Sequence, residues 1–251
     1  FNDRYTQEAG YSKEDIYNLV KAGNWTWDVF LDICRKETKD TNGDGIKDQF
    51  GNTSWVFGSE ILTNGVNPIY QDTTGKWVCD FSKPAVIAGF EFLKNAQEAN
   101  VAKSDVEGNG DLRTQFTDGK AAFVTVYYWH LVEEIFKNSA VVYGLVPLPK
   151  GPDATGYSQI VPDLDAWVML TSNNDYQKSV IAMSAWGDIM TDDAWKDTVK
   201  EVFNDETSWE IFNQYVLPNT ILNNLKVTSD IWSSYQDLIS KPLRSGQALP
   251  S

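Results

Sequence analysis

Apolar residues recur at helical spacing in two long stretches of the chain. Val29, Phe30, Ile33 and Cys34 follow Trp25-Thr26-Trp27-Asp28, and Thr26 is placed to cap the helix they predict. Val86, Ile87, Phe90, Leu93 and Ala96 lie on or near one face of a helix predicted over Lys83–Ala99, with Pro84 in its first turn. Ser12-Lys-Glu-Asp15 predicts a further helix start, an N-cap serine followed by acids. Shorter apolar runs predict strands at Ser54–Phe57, Ala121–Tyr127, Val141–Leu148 and Ala166–Leu170. Gly75–Val78 reads as the tip and return of a hairpin. Helices are predicted at Ser59–Thr63, Leu112–Asp118, Leu131–Phe136 and Asp175–Met190. After Asp192 the pattern is mostly helical, through Trp195–Phe203, Ser208–Val216 and Ser229–Ser240. Phe1–Gly10 shows neither cap nor start signal and reads as the middle of something longer.

Strands alternating with helices predict an α/β domain with a largely parallel sheet. The strongest break is Pro147-Leu-Pro-Lys-Gly151-Pro152, a linker or hinge candidate. The formal charge of −14 argues against nucleic acid, which needs a basic footprint, and against an anionic membrane surface. Ten Trp, eleven Tyr and twelve Phe exclude the composition of a disordered chain. His130 is the only histidine, which removes most histidine-based catalysis and any multi-histidine metal site. Cys34 and Cys79, on a predicted helix and strand, are either a disulfide or two buried free thiols.

One short stretch carries specific chemistry. Residues 40–48 read Asp-Thr-Asn-Gly-Asp-Gly-Ile-Lys-Asp, placing oxygen side chains at positions 1, 3, 5 and 9 of an EF-hand-type calcium loop with glycine at position 6. Asp40, Asn42, Asp44 and Asp48 would supply side-chain oxygens and Ile46 its carbonyl. Position 12 is Gly51 instead of the usual glutamate, which leaves Gln49 as the nearest substitute ligand. The competing reading is a turn rich in Asn, Gly and Asp that binds nothing.

Several motifs, in order and spacing, resemble extracellular solute-binding proteins (family 1) of carbohydrate ABC importers, maltose-binding-like. Asn2 with Glu8-Ala9-Gly10 resembles the crossover N-K-x-L-F-x-x-A-G of that family. Trp25–Phe30 resembles its P-x-T-W-D-E-F helix start, and Asp40–Gly51 the calcium loop of some of its oligosaccharide binders. Phe116-Thr-Asp-Gly119-Lys-Ala-Ala122-Phe resembles F-x-x-G-K-A-A-M, and Gly144–Pro152 the return crossover. The resemblance runs to about Met190 and covers only the later part of such proteins. It implies a periplasmic-binding-protein-like (type II) lobe, a mixed, mostly parallel sheet flanked by helices with a helical C-terminal part. Residues 1–149 are then the second lobe, 150–191 the hinge and a segment that in the family crosses to the first lobe, and 192–251 a helical return. Without that first lobe, about Ile160–Thr191 would expose an apolar face.

The resemblance further implies a non-catalytic oligosaccharide binder, outside the cell or in the periplasm, tethered as a lipoprotein in the full-length parent. Its partners would be the missing first lobe and a membrane permease, with Ca2+ in a structural role. Sugars call for flat aromatic platforms and carboxylates at the rim. Trp129 and Trp55 fall where the family places stacking rings, with Tyr128 beside the first; Asp163, Asp165 and Trp167 fall where it lines the cleft floor. Trp25 and Trp27 read instead as helix-start packing. A secreted glycan-acting enzyme or its binding module is a rival reading, as is a peptide or amino-acid binder anchored by Arg113. Glu133 and Glu134 do not favour the enzyme, because adjacent residues on a helix point about 100° apart and cannot flank one glycosidic bond.

Overall fold

The computed structural model describes the chain apart from residues 54–58, 100, 102–111, 128–129, 132–133, 162–167, 191–195, 198–199, 204, 225–228 and 243–251. Its first half is built on three helices and a parallel strand pair. Helix α1 (Asp3–Glu8) is capped by Asn2, whose side chain accepts from the Arg4 N–H. The opening residues thus do contain a cap. Helix α2 (Lys13–Lys21) starts with a reciprocal capping box between Ser12 and Asp15. Helix α3 (Trp27–Glu37) follows Thr26, which caps by backbone geometry without a side-chain hydrogen bond.

Strand β1 (Phe50–Asn52) pairs in parallel with β4 (Ala121–Phe123), Phe50 opposite Ala121 and Asn52 opposite Phe123. Between them lie α4 (Ser59–Leu62), the antiparallel hairpin β2 (Ile69–Gln71) and β3 (Trp77–Cys79), α5 (Pro84–Glu98) and α6 (Leu112–Thr117). Helix α7 (Glu134–Lys137) and strand β5 (Gln159–Val161) follow, and β5 pairs in parallel with β6 (Thr220–Leu222). Helix α8 (Tyr176–Met190), α9 (Glu206–Ile211), a π-helical turn (Phe212–Val216), a 3-10 turn (Leu217–Asn219), α10 (Ser229–Tyr235) and a π-helical segment (Gln236–Ser240) follow. The described strands form three two-stranded sheets, two of them parallel.

The main core is aromatic. Trp25 and Phe30 both pack on Phe123, at ring-centroid distances of 5.7 and 5.0 Å, and Trp27 stacks on Phe92 at 4.4 Å. Trp25 is fully buried and Trp27 nearly so, as expected of helix-start packing. The indole N–H groups are satisfied, that of Trp25 by the Pro147 carbonyl at 2.9 Å and that of Trp27 by Thr63 Oγ1 at 3.2 Å. Strand β1 lies so close to α3 that a Cβ on Gly51 would stand 2.4 Å from the Cys34 Cα. Only glycine fits there.

Several predicted elements take a different form. Ala121–Tyr127 is strand only as far as Phe123. Within Val141–Leu148 there is one bridge, Tyr143 to Asn2, and no strand; its N–H groups bond instead to Phe1 O, Ser208 Oγ and Gln159 Oε1 through Gly144, Leu145 and Leu148. Of Leu131–Phe136, Leu131 lies in a 3-10 turn with His130, residues 132–133 lie outside the described residues, and Glu134–Phe136 fall in α7. The Pro147–Pro152 break is firmly attached on one side. Lys150 exchanges backbone bonds with Trp25 and Trp27, Gly151 N–H donates to Thr63 O at 2.9 Å, and Asn64 grips Asp153 through both amide atoms. Cys34 and Cys79 are free thiols; Cys79 is exposed, because the β2–β3 hairpin leaves it on an outer face.

Helix α8 stands apart from the core. Val180, Ile181 and Trp186 are each more than half exposed, and Val168 ahead of the helix is 83% exposed. This apolar surface lies within residues 160–191, of which 162–167 and 191 lie outside the described residues. No helix among the described residues is long and apolar enough to cross a membrane.

Candidate functional site

The parallel pairing of β1 and β4 sets the geometry of the candidate site. Both strands run the same way, so their C-terminal ends leave one edge of the sheet together. Thr53, directly after β1, donates its N–H to Phe123 O at 3.2 Å, which keeps the two exits side by side. From this edge the chain continues into residues 54–58 on one side and through Val124–Tyr127 into 128–129 on the other. In open parallel sheets, ligands bind outside such carboxyl ends. The expected platforms Trp55, Tyr128 and Trp129 lie in those continuations and outside the described residues, as do Asp163, Asp165 and Trp167.

Beneath the edge lies a cavity of about 30 Å3, lined by Trp27, Phe30, Ser59, Thr63, Phe92, Thr125 and Pro149, among others. It has room for water and none for a sugar ring. The described floor is therefore packed, and a solute would rest above it. Buried Glu60 at the start of α4 accepts from the Tyr235 hydroxyl at 2.5 Å, which ties α10 to the segment following residues 54–58. Nothing in the sequence signalled this long-range pair.

The loop between α3 and β1 is the second candidate. Asp40, Asn42, Asp44, Ile46 and Asp48 are exposed or half-exposed, and Gly43 and Gly45 adopt φ of +80° and +88°, which favours glycine. Backbone donors hold the side-chain oxygens in place. Asp40 accepts from Gly43 and Gly45 N–H at 2.7 Å each, Asn42 from Asp44 N–H at 2.9 Å, and Asp44 from Ile46 N–H at 2.8 Å. Asp48 accepts from the Thr41 hydroxyl and N–H. The Gly45 N–H holds the Asp40 carboxyl below its usual range, and the Thr41 hydroxyl does the same for Asp48. Both are ionised at neutral pH. The donor set is all oxygen, which suits a hard cation. Among the described residues, however, no three His, Cys, Asp or Glu side chains are gathered closely enough to hold an ion. Gln49 faces elsewhere: it is buried, and its amide nitrogen donates to Glu37. Gly51 contributes no side chain at position 12 for the steric reason given above.

Comparison with known proteins adds the following. The family model described as bacterial extracellular solute-binding protein matches residues 3–187. The ABC substrate-binding protein Lmo0181 from Listeria monocytogenes, solved in complex with cycloalternan, is similar over 98% of this chain and 62% of its own, at 14% identity and a TM-score of 0.62. Maltose/maltodextrin-binding MalE from Bdellovibrio bacteriovorus, bound to maltotriose, covers 90% of this chain and 55% of its own at 17% identity, with a TM-score of 0.46. UspC from M. tuberculosis is 21% identical over 64% of this chain and 42% of its own, with a TM-score of 0.45. No curated protein matches. The chain thus spans between 42 and 62% of the length of these structures. Small, mostly parallel sheets flanked by helices and the likeness to Lmo0181 give the fold as periplasmic-binding-protein-like, type II. This chain belongs to the bacterial extracellular solute-binding protein family.

Proposed function

We propose that the chain is the carbohydrate-binding second lobe of an ABC-importer solute-binding protein, acting without catalysis outside the cell or in the periplasm. The observation that supports this reading is the parallel pairing of β1 and β4, after whose last residues the chain runs on toward Trp55 and Trp129. Two aromatic faces there suit the C–H faces of a pyranose, with Tyr128 adjoining and Asp163, Asp165 and Trp167 supplying the polar floor. The likeness to a cycloalternan-bound protein supports an oligosaccharide as the solute.

The exposed face of α8 is the surface on which a first lobe would rest, and the length of the related structures supports its existence. Ligand held between two lobes favours the closed form by its differential affinity, and the closed form would dock on a permease. Lipoprotein tethering of the parent belongs to the same reading. For the loop we propose a structural Ca2+, held by Asp40, Asn42, Asp44 and Asp48 with the Ile46 carbonyl; its binding requires the carboxylates to draw together from their present spacing.

The test is calorimetric titration of the full protein with cycloalternan and a panel of linear oligosaccharides, in wild type and Trp129→Ala. A loss of at least ~tenfold in affinity, about 1.4 kcal/mol, is expected in the variant. Affinity unchanged by the substitution removes Trp129 from the site, and silence across the panel overturns the glycan reading.

A further inference from the structure

We propose that Lys39 and Gln49 become joined by an isopeptide bond that the fold itself forms, with buried Glu37 carrying the proton. The proposal depends on neither the glycan nor the calcium reading. Lys39 and Gln49 are partners in an antiparallel bridge, each donating its backbone N–H to the other's carbonyl at 3.1 Å. Residues directly opposite in such a pair send their side chains to the same face. Here both side chains end on one atom. Glu37 Oε2 accepts from Lys39 Nζ at 3.0 Å and from Gln49 Nε2 at 3.0 Å. An amine, a carboxamide and a carboxylate that can pass a proton between them thus meet at one point.

The surroundings suit the reaction. Glu37 is 1% exposed and Gln49 5%. The other carboxylate oxygen, Glu37 Oε1, is buried with no hydrogen-bond partner among the described residues. A buried carboxylate with an unfilled oxygen is a cost to folding, and a plain ion pair with Lys39 does not repay it. Lys39 is the most open of the three groups, and its Nζ also lies 3.6 Å from Glu8 Oε2.

The step balances without any outside reagent. Glu37 Oε2 takes a proton from the Lys39 ammonium, and the freed lone pair forms a bond to Gln49 Cδ. The carbonyl electrons move onto Gln49 Oε1. Glu37 hands its proton to Gln49 Nε2, the carbonyl re-forms, and the Cδ–Nε2 bond breaks to release ammonia. The second amine proton leaves through the same carboxylate and converts the ammonia to NH4+. In sum, an ammonium and a carboxamide become a secondary amide and NH4+, with no net proton taken up and no change of oxidation state. Holding both reactants on one carboxylate supplies the proximity and the proton transfer that a free amine and amide lack. The product ties the residue before Asp40 to the residue after Asp48. It joins the end of α3 to the start of β1 whether or not an ion is bound, and constrains the unfolded chain as other cross-links do.

The mass of the full protein, folded and then denatured, reads the bond directly. Wild type should be lighter than its sequence by one ammonia, and a tryptic digest should hold residues 39 and 49 in one branched peptide. Lys39→Arg keeps a cation for Glu37 and Glu8 but lacks the amine. It should show the full sequence mass and melt several degrees below wild type. Glu37→Gln keeps the shape without the proton carrier and should also show the full mass. Full sequence mass in wild type after prolonged incubation of the folded protein overturns the proposal. An ammonia deficit that persists in Lys39→Arg overturns it as well, because the loss then arises at another residue. A cross-linked Glu37→Gln protein removes Glu37 from the reaction.

Discussion

The side-chain amide of Gln49 donates both to the Glu37 carbonyl at 3.1 Å and to Glu37 Oε2 at 3.0 Å, spanning the two ends of the Asp40–Asp48 loop. Lys39 adds to the same closure. Its backbone pairs with Gln49, and its ammonium reaches Glu37 Oε2 at 3.0 Å. The neck is therefore closed by protein groups alone, and a cation would act on the loop beyond it.

That division sets the first expectation. If Ca2+ binds with a Kd near 10⁻⁴ M, millimolar calcium stabilises the fold by about 1.4 kcal/mol. For a chain of this size this is a melting shift of roughly 3–6 °C, abolished by a chelator. Asp44→Ala should melt at the chelated wild-type temperature with or without calcium. Persistence of the chelator response in that variant counts against the site, and absence of any response in wild type counts against the ion.

Gly51 explains why the loop departs from the EF-hand pattern at position 12. With the Cys34 Cα 2.4 Å from where a Cβ would sit, α3 and β1 cannot admit even alanine without moving apart. Gly51→Ala should cost about 1–3 kcal/mol of overpacking. Urea unfolding measures it, and a loss below ~0.5 kcal/mol would show that the strand shifts freely.

How far the sequence reveals the structure depends on where each signal resides. Helix α5 is legible because Pro84 and a 3.6-residue apolar period act locally. The α2 capping box is legible for the same reason. Val141–Leu148 misleads because its apolar pattern suits a strand, while its N–H groups find partners at residues 1, 208 and 159 that no window contains. The Pro147–Gly151 turn chemistry reads as a break, and only the fold shows it held by Trp25, Trp27, Thr63 and Asn64. At the candidate site, the pairing of β1 with β4 converts two unrelated sequence positions into neighbours. The side chains expected to meet the solute lie beyond the described residues.

Asn64 is the keystone of that attachment. Its amide nitrogen donates to Ala85 O and Asp153 Oδ2 at 2.8 and 2.9 Å, and its carbonyl accepts from Asp153 N–H at 3.0 Å. Gly151 packs against the same group; a Cβ there would stand 2.2 Å from Asn64 Oδ1. Asn64→Ala should lose about 2–3 kcal/mol, since it leaves the Asp153 N–H and carboxylate without this partner. Asn64→Asp should lose comparable stability at pH 7, because two carboxylates then face each other, and recover part of it on acidification. Equal stability of all three proteins would mean that residues 151–153 are held elsewhere.

Acid should loosen the attachment of α9 to α2. Asp205 caps α9, accepts from the Tyr17 hydroxyl at 2.9 Å and pairs with the Lys13 ammonium. Burial pushes its pKa up, but Lys13, the Ser208 N–H and Tyr17 outweigh burial and hold it below the usual carboxylate value. The folded pKa thus lies below the unfolded value of ~3.9, so between the two the unfolded chain binds more protons. The stability due to this charge is complete above that unfolded value and is lost as pH falls through the folded one. Asp205→Asn keeps an oxygen for the cap and for Tyr17 while removing the charge. It should therefore cost about 1 kcal/mol at pH 7, given the partial exposure of the pair, and nothing near pH 2. Denaturant curves of the two proteins should converge on acidification; a gap independent of pH would assign the effect to packing instead of to the Lys13 pair.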